Sequence, residues 1–89
     1  MKEHLREIVR GIKSTRYPNL SYDVFETSEQ LDLFTDCFCF DLVQHNPALG
    51  HTSMVKCWYN KEKYTEDEAR RAFLSKILSD YFEYHLIKE

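Results

Sequence analysis

Residues 36–59 carry the pattern that most limits how this chain can fold. In the first half of this segment large apolar side chains occupy every second position: Phe38, Phe40 and Leu42. A period of two turns successive side chains to opposite faces of an extended chain, which predicts a β-strand over residues 36–44. Residues 45–50 contain an Asn-Pro pair and a glycine, as turns do. A strand over residues 51–59 follows, so the segment predicts a hairpin.

Helical periodicity appears on both sides of this hairpin. Within residues 2–14 the apolar side chains fall at the spacing of one helical face: Leu5, Ile8, Val9 and Ile12. Near the other end, Thr65 and Glu68 have the spacing of a capping box. They precede an amphipathic pattern, which predicts a long helix over residues 66–87.

Residues 20–24 alternate apolar and polar side chains and predict a further, half-buried strand. Residues 28–34 fit either a short helix, which Thr27 and Gln30 would cap, or a long loop. The element order is therefore α-β-β-β-α, and we expect an α+β fold. Two helices would pack on one face of a three-stranded antiparallel sheet, because that arrangement buries every apolar stripe. Residues 1–89 would form one domain.

Composition narrows the class of protein. The 89 residues include six Phe, six Tyr and one Trp, too many aromatic side chains for a disordered segment. Charges interrupt the first 13 residues, so they do not resemble a signal peptide, and no apolar run is long enough to cross a bilayer. The three cysteines lack the spacing of a disulfide framework. We expect an intracellular, cytoplasmic protein without a membrane partner.

Charge is distributed unevenly along the chain. The first helix carries a basic stripe that could contact RNA or an acidic surface: Lys2, Arg6, Arg10 and Lys13. No basic residue lies between Arg16 and Lys56, where six acids offer a contact to a basic partner: Asp23, Glu26, Glu29, Asp32, Asp36 and Asp41. RNA could therefore bind only through the first helix, because the middle of the chain repels phosphate.

The element order and three short segments resemble the double-stranded-RNA-binding domain family. The segments are residues 22–24 in the first strand, Phe38 and Phe40 in the second, and residues 68–73 at the start of the last helix. Family members that bind RNA carry a lysine cluster where this chain has three acids, at residues 66–68. The acidic stretch 26–36 likewise lacks the family's Gly-Pro-x-His loop. The resemblance therefore implies a module for protein interaction or dimerisation.

The face of the sheet away from the helices is predicted to be unusually apolar. If Phe38 and Phe40 point inward, alternation turns another set of side chains outward: Cys37, Cys39, Met54 and Trp58. Exposed Trp and Met suit an interface, so Cys39, Met54 and Trp58 are the expected partner contacts. Two alternatives stay open: residues 27–35 cover this face, or the register is shifted by one residue.

Metal binding and catalysis have less support in the sequence. Cys37, Cys39, Cys57, His45 and His51 could be zinc ligands, but they lack the paired knuckle spacing of structural sites, so free thiols are expected instead. There is no phosphate-binding glycine loop, Ser-His-Asp pattern or metalloprotease motif. We expect no enzyme activity, no cofactor and no small-molecule substrate.

Three functions are compatible with these observations. The first is protein binding or dimerisation, through the outer sheet face or a strand edge. The second is weak binding of double-stranded RNA through the basic first helix, which the acidic remainder disfavours. The third is a small acidic inhibitor of a nucleic-acid-binding protein, of the kind that viruses and mobile elements use against host defence.

Overall fold

Residues 2–12 and 19–80 are described by the computed structural model. The elements are α1 Lys2–Gly11, β1 Ser21–Gln30, β2 Asp36–Asn46, β3 Gly50–Asn60 and α2 Glu66–Asp80. The strands form one antiparallel sheet in the order β1-β2-β3. Both helices contribute to a single core on one face of that sheet. The predicted α-β-β-β-α order and α+β class are confirmed.

The core is formed by apolar side chains from both helices and from the inner face of β1 and β2. Its buried members are Leu5, Val9, Ile12, Tyr22, Val24, Phe40, Leu42, Ala69, Phe73 and Ile77. Phe40 lies at the centre, with its ring stacked on Phe73 at 5.2 Å and edge-on to Tyr59 at 5.8 Å between centroids. Such aromatic contacts add to the free energy gained by burial alone.

The start of α2 agrees with its sequence signal, whereas α1 ends at Gly11, so Ile12 lies just beyond the helix that was predicted to include it. Thr65 Oγ1 accepts the Glu68 N–H at 3.2 Å, and the Glu68 carboxylate accepts the Thr65 N–H at 3.0 Å, so the capping box forms. α2 is described to Asp80, and the predicted continuation over residues 81–87 lies outside the described residues. Residues 13 and 14 of the first predicted helix also lie outside them. Neither described helix has the length and apolarity needed to span a membrane.

Residues 28–34 form neither the short helix nor the long loop that the sequence allowed. β1 continues to Gln30 because Thr27, Ser28 and Glu29 pair with β2, opposite Cys39, Phe38 and Cys37 in that order. Residues 31–35 then form a tight turn closed by a hydrogen bond from the Leu31 N–H to the Thr35 carbonyl at 2.9 Å. Strand pairing along the whole hairpin thus overrides the local capping signal.

A β-bulge in β3 changes the direction of one predicted interface residue. Leu42 pairs with Val55, but the next residue, Val43, pairs with Ser53, which leaves Met54 as the extra residue of β3. Met54 packs against the core together with Val55. The expectation that Met54 points outward is therefore wrong, because strict alternation does not hold across a bulge.

Replacing Phe40 with alanine should lower the free energy of unfolding by about 3–5 kcal/mol, the usual cost of truncating a buried aromatic side chain. Phe40 is fully buried, and its ring contacts those of Phe73 and Tyr59. Urea denaturation measures the effect, with Leu49→Ala as the control, since Leu49 is 84% exposed in the β2–β3 turn. Equal losses in the two variants would contradict this assignment of the core.

Candidate functional site

The outer face of the sheet buries two cysteines although neither α1 nor the described part of α2 covers it. Cys37 and Cys39 are almost completely buried, yet neither belongs to the core on the helical face. They lie on the central strand β2, directly opposite Asn60 and Trp58 of β3. Within the described part of the chain, the cover over these thiols comes from side chains of the two flanking strands.

Glu29 and Trp58 provide that cover by meeting across β2. Trp58 Nε1 donates a hydrogen bond to Glu29 Oε2 at 2.8 Å, and Lys56 Nζ lies 3.0 Å from Glu29 Oε1. The Lys56 ammonium also lies 5.6 Å from the centroid of the Trp58 ring. Because β1 and β3 are separated by β2, these contacts span the whole sheet above Cys39. We call Glu29, Lys56 and Trp58 the cross-sheet bridge.

The cross-sheet bridge also sets the electrostatics of this face. Hydrogen bonds from Trp58 and then Lys56 lower the pKa of the Glu29 carboxyl, so it stays ionised at neutral pH. Burial raises the pKa of the Cys39 thiol, which keeps it protonated. A protonated, enclosed thiol is a poor nucleophile. The arrangement favours packing over chemistry at Cys39.

The three residues predicted to contact a partner, Cys39, Met54 and Trp58, do not lie together on one exposed surface. Trp58 lies on the outer face and is 42% exposed, so it can meet a partner. Cys39 lies on the same face but beneath the cross-sheet bridge, and Met54 packs against the core. Of residues 27–35, Glu29 lies over the outer face as part of the bridge, and the Thr27 side chain hydrogen-bonds the Cys39 thiol.

The β1–β2 turn presents apolar side chains that the sequence analysis did not single out. Leu33 and Phe34 are 84% and 88% exposed, and Leu31 is 56% exposed. Asp32 holds the turn by accepting the Phe34 N–H at 2.8 Å and the Thr35 hydroxyl at 3.2 Å. The sequence offered one signal for this turn: three apolar residues in a short polar segment that lacks the regular spacing of a buried strand or helix face.

The basic stripe of α1 is partly engaged within the fold. Arg6 Nη2 and Arg10 Nη2 lie 3.0 and 3.1 Å from Asp23 Oδ2, and Asp23 Oδ1 accepts the Val24 N–H at 2.8 Å. Partial burial alone would raise the pKa of Asp23, but these hydrogen bonds outweigh it and lower the pKa to about 2. The side chains of the other two predicted RNA contacts, Lys2 and Lys13, lie outside the described part.

Several of the predicted acidic contacts also have partners inside the fold. Glu26 Oε1 accepts a hydrogen bond from Arg70 Nε at 2.7 Å, and both side chains are about nine-tenths buried. Asp41 accepts a hydrogen bond from the Ser53 hydroxyl at 2.5 Å. Among the described residues, Asp36 alone of the six acids has no side-chain partner. Three of the six acids, Asp23, Glu26 and Glu29, are therefore paired with cations.

The cysteines do not converge. Cys37 and Cys39 face outward, whereas Cys57 packs against the core on the opposite face. Within residues 2–12 and 19–80, no group of three or more His, Cys, Asp or Glu side chains is arranged to hold a metal ion. A zinc site that combines these thiols is inconsistent with this geometry.

Comparison of the chain with protein-family models, with curated proteins and with solved structures found no match.

Truncating Trp58 to alanine should open the cross-sheet bridge and expose Cys39. We expect the rate at which Cys39 reacts with a thiol-specific reagent to rise severalfold, because the ring directly opposite it is removed. Mass spectrometry of the labelled peptides assigns the reaction to Cys39, and Leu49→Ala is the matched control. An unchanged rate in Trp58→Ala would show that Trp58 does not shield the thiol.

Replacing Asp23 with asparagine should lower the free energy of unfolding at pH 7 by about 1–2 kcal/mol, an amount reduced by the solvent exposure of both arginines. The pKa of Asp23 lies below its ordinary value of 3.8, so its contribution is complete above that pH and is lost as the pH falls towards about 2. The variant and the natural chain should therefore converge in acid. Urea denaturation over this range tests it, with Asp36→Asn as control. A difference between the two chains that stays constant down to pH 2 would contradict the assignment.

Proposed function

We propose that this chain is a non-catalytic protein-binding domain. Its contact surface would comprise the exposed side chains of the outer sheet face and of the β1–β2 turn: Phe25, Leu31, Leu33, Phe34 and Trp58. We call this set the turn-side surface. The partner would be a different protein chain, with an apolar pocket that receives the turn.

The observation that carries the proposal is where the exposed apolar side chains lie. Of the seven large apolar side chains that are exposed in the described part, five belong to the turn-side surface, and only Leu49 and Tyr64 lie elsewhere. Trp58 is paired with Cys39, three residues into β2 from its start at Asp36. At about 3.4 Å per residue, the turn begins roughly 10 Å from Trp58 along the sheet. The surface is thus close to continuous.

Hydrogen bonds within the chain hold the β1–β2 turn in its conformation without a partner. Asp32 and Gln30 fix its backbone, because the Gln30 side-chain amide donates a hydrogen bond to the Leu33 carbonyl at 3.2 Å. Binding normally costs free energy to order loops and side chains, and a preformed turn reduces that cost. Two exposed apolar side chains on a fixed turn are well suited to act as anchors.

The charges around the turn indicate the chemistry of the partner. Residues 26–36 contain four acids and no base. Asp32 accepts hydrogen bonds within the turn, and the Asp36 carboxylate has no partner among the described residues, so the turn itself is negative. A pocket rimmed by Lys or Arg would complement it, whereas a second copy of the same turn would bring like charges together. A different chain is therefore favoured over self-association.

The other two functions predicted from sequence have weaker support. Arg6 and Arg10 are already held by Asp23, so binding phosphate would compete with an existing ion pair. Glu26 and Glu29 are paired with Arg70 and Lys56, so part of the negative charge that would mimic a nucleic acid is already compensated. Double-stranded RNA binding and acidic inhibition stay as alternatives that the same binding assays address.

Replacing Leu33 and Phe34 together with serine should abolish partner binding without loss of stability. Both side chains are almost fully exposed, so folding does not depend on them, whereas removing two anchors should weaken binding by about tenfold or more. Affinity capture from the native source, followed by titration of the captured protein, measures this. The matched control is Leu49→Ser, equally exposed in the opposite turn.

The double variant and its Leu49→Ser control also distinguish a different protein partner from a second copy of the chain and from RNA. Capture of the same proteins by the natural chain and by the double variant would overturn the proposed surface. A concentration-dependent dimer in sedimentation velocity that only the double variant loses would identify a second copy as the occupant. Retention of RNA that weakens steeply with salt would favour the basic helix instead.

A further inference from the structure

His45 and His51 face each other where β2 and β3 leave the sheet. They are directly paired across the two strands, and their ring centroids lie 4.4 Å apart with an angle of 53° between the planes. Their positions put both imidazoles on the outer face, at the opposite end of the sheet from the turn-side surface. Opposed side chains of an antiparallel pair are near enough to share one ligand.

The β2–β3 turn holds the two histidines in place. Asn46 Oδ1 accepts the Ala48 N–H at 2.8 Å, and the Leu49 N–H is 3.2 Å from the Asn46 carbonyl oxygen. Gly50 closes the turn at a φ of 90°, a conformation that favours glycine. The backbone on both sides of the histidine pair is therefore fixed without any ligand.

Contacts within the fold leave a ring nitrogen of this pair unused. Nδ1 of His45 is buried and has no hydrogen-bond partner among the described residues. His51 is exposed. Both line a cavity of about 360 Å³, whose other walls are Arg10, Ser21, Tyr22, Asp23 and Val43. The positive charge of Arg10 is offset by its ion pair with Asp23.

We propose that His45 and His51 together bind a divalent ion of the late first transition series, with Ni²⁺, Cu²⁺ and Zn²⁺ as the chemical class. Imidazole nitrogen is a preferred ligand of these ions, and it binds them at about 2.0–2.1 Å in zinc sites. Two nitrogen ligands from the protein leave the remaining positions to water. This site uses no cysteine, and so differs from the zinc site considered from the sequence.

Calorimetric titration of the untagged chain with Ni²⁺ tests the proposal, with Zn²⁺ as a second arm. We expect one ion per chain, and a loss of affinity of about tenfold or more in His51→Ala, because a single imidazole cannot chelate. His51 is exposed, so this variant should fold; His51→Gln, which preserves polarity and size more closely, is the second variant.

Two matched controls isolate the pair. His4→Ala removes an exposed histidine from α1, and Cys57→Ser removes a half-buried thiol; neither should change the affinity. Ni²⁺ should also raise the unfolding temperature of the natural chain and of both controls, but not of the His51 variants. Absence of binding by the natural chain, or equal affinity in His51→Ala, would overturn the site.

Discussion

The structure depends on a central strand that is buried on both of its faces. Antiparallel sheets usually bury one face and leave the other in water, and their strands alternate accordingly. In β2 the inner residues Phe40 and Leu42 join the helices, while the outer residues Cys37, Cys39 and Val43 are also buried. No second layer of described structure covers that outer side. Long side chains from β1 and β3 take its place. The two flanking strands therefore shield from water the central strand with which both of them pair.

The burial of β2 on both faces explains which features of the structure could be predicted from the sequence and which could not. Helical spacing, the capping box and the alternation in β2 each depend on neighbouring residues, and each predicted its element. The cross-sheet bridge depends on Glu29 and Trp58, which are 29 positions apart, so no local pattern connects them. Even a correct inward and outward assignment could not show that Cys39, although outward, is enclosed.

Two other errors have equally specific causes. The helix predicted over residues 28–34 followed a capping signal at Thr27, and the hydrogen bonds of the hairpin outweighed that signal. The exposed turn was missed because a short apolar run is ordinarily assigned to a core, and only the tertiary structure shows that Leu33 and Phe34 are 84% and 88% exposed. Surface function in so small a chain is therefore harder to predict than its fold.

The number of acidic residues in the sequence likewise overstates the negative charge that is free to contact a partner at the surface. The acids between residues 23 and 41 look like a continuous negative segment. In the fold, Asp23, Glu26 and Glu29 are each matched by a cation from another element: α1, α2 and β3 respectively. These ion pairs join the strand β1 to three different elements. They fix how these elements sit relative to β1. The pairs of Asp23 and Glu29 are partly exposed and add modest net stability, whereas the Glu26–Arg70 pair is about nine-tenths buried.

The bulge at Met54 has a consequence for how this chain can change by insertion and deletion. The residues on its two sides, Ser53 and Val55, already pair with consecutive residues of β2, Val43 and Leu42. Deletion of Met54 would therefore leave regular strand pairing, in which each remaining side chain of β3 stays on the face of the sheet that it occupies now. The same loss elsewhere in β3 would exchange the faces of all residues on one side of it. Position 54 is thus a point where the strand can vary in length while the architecture persists.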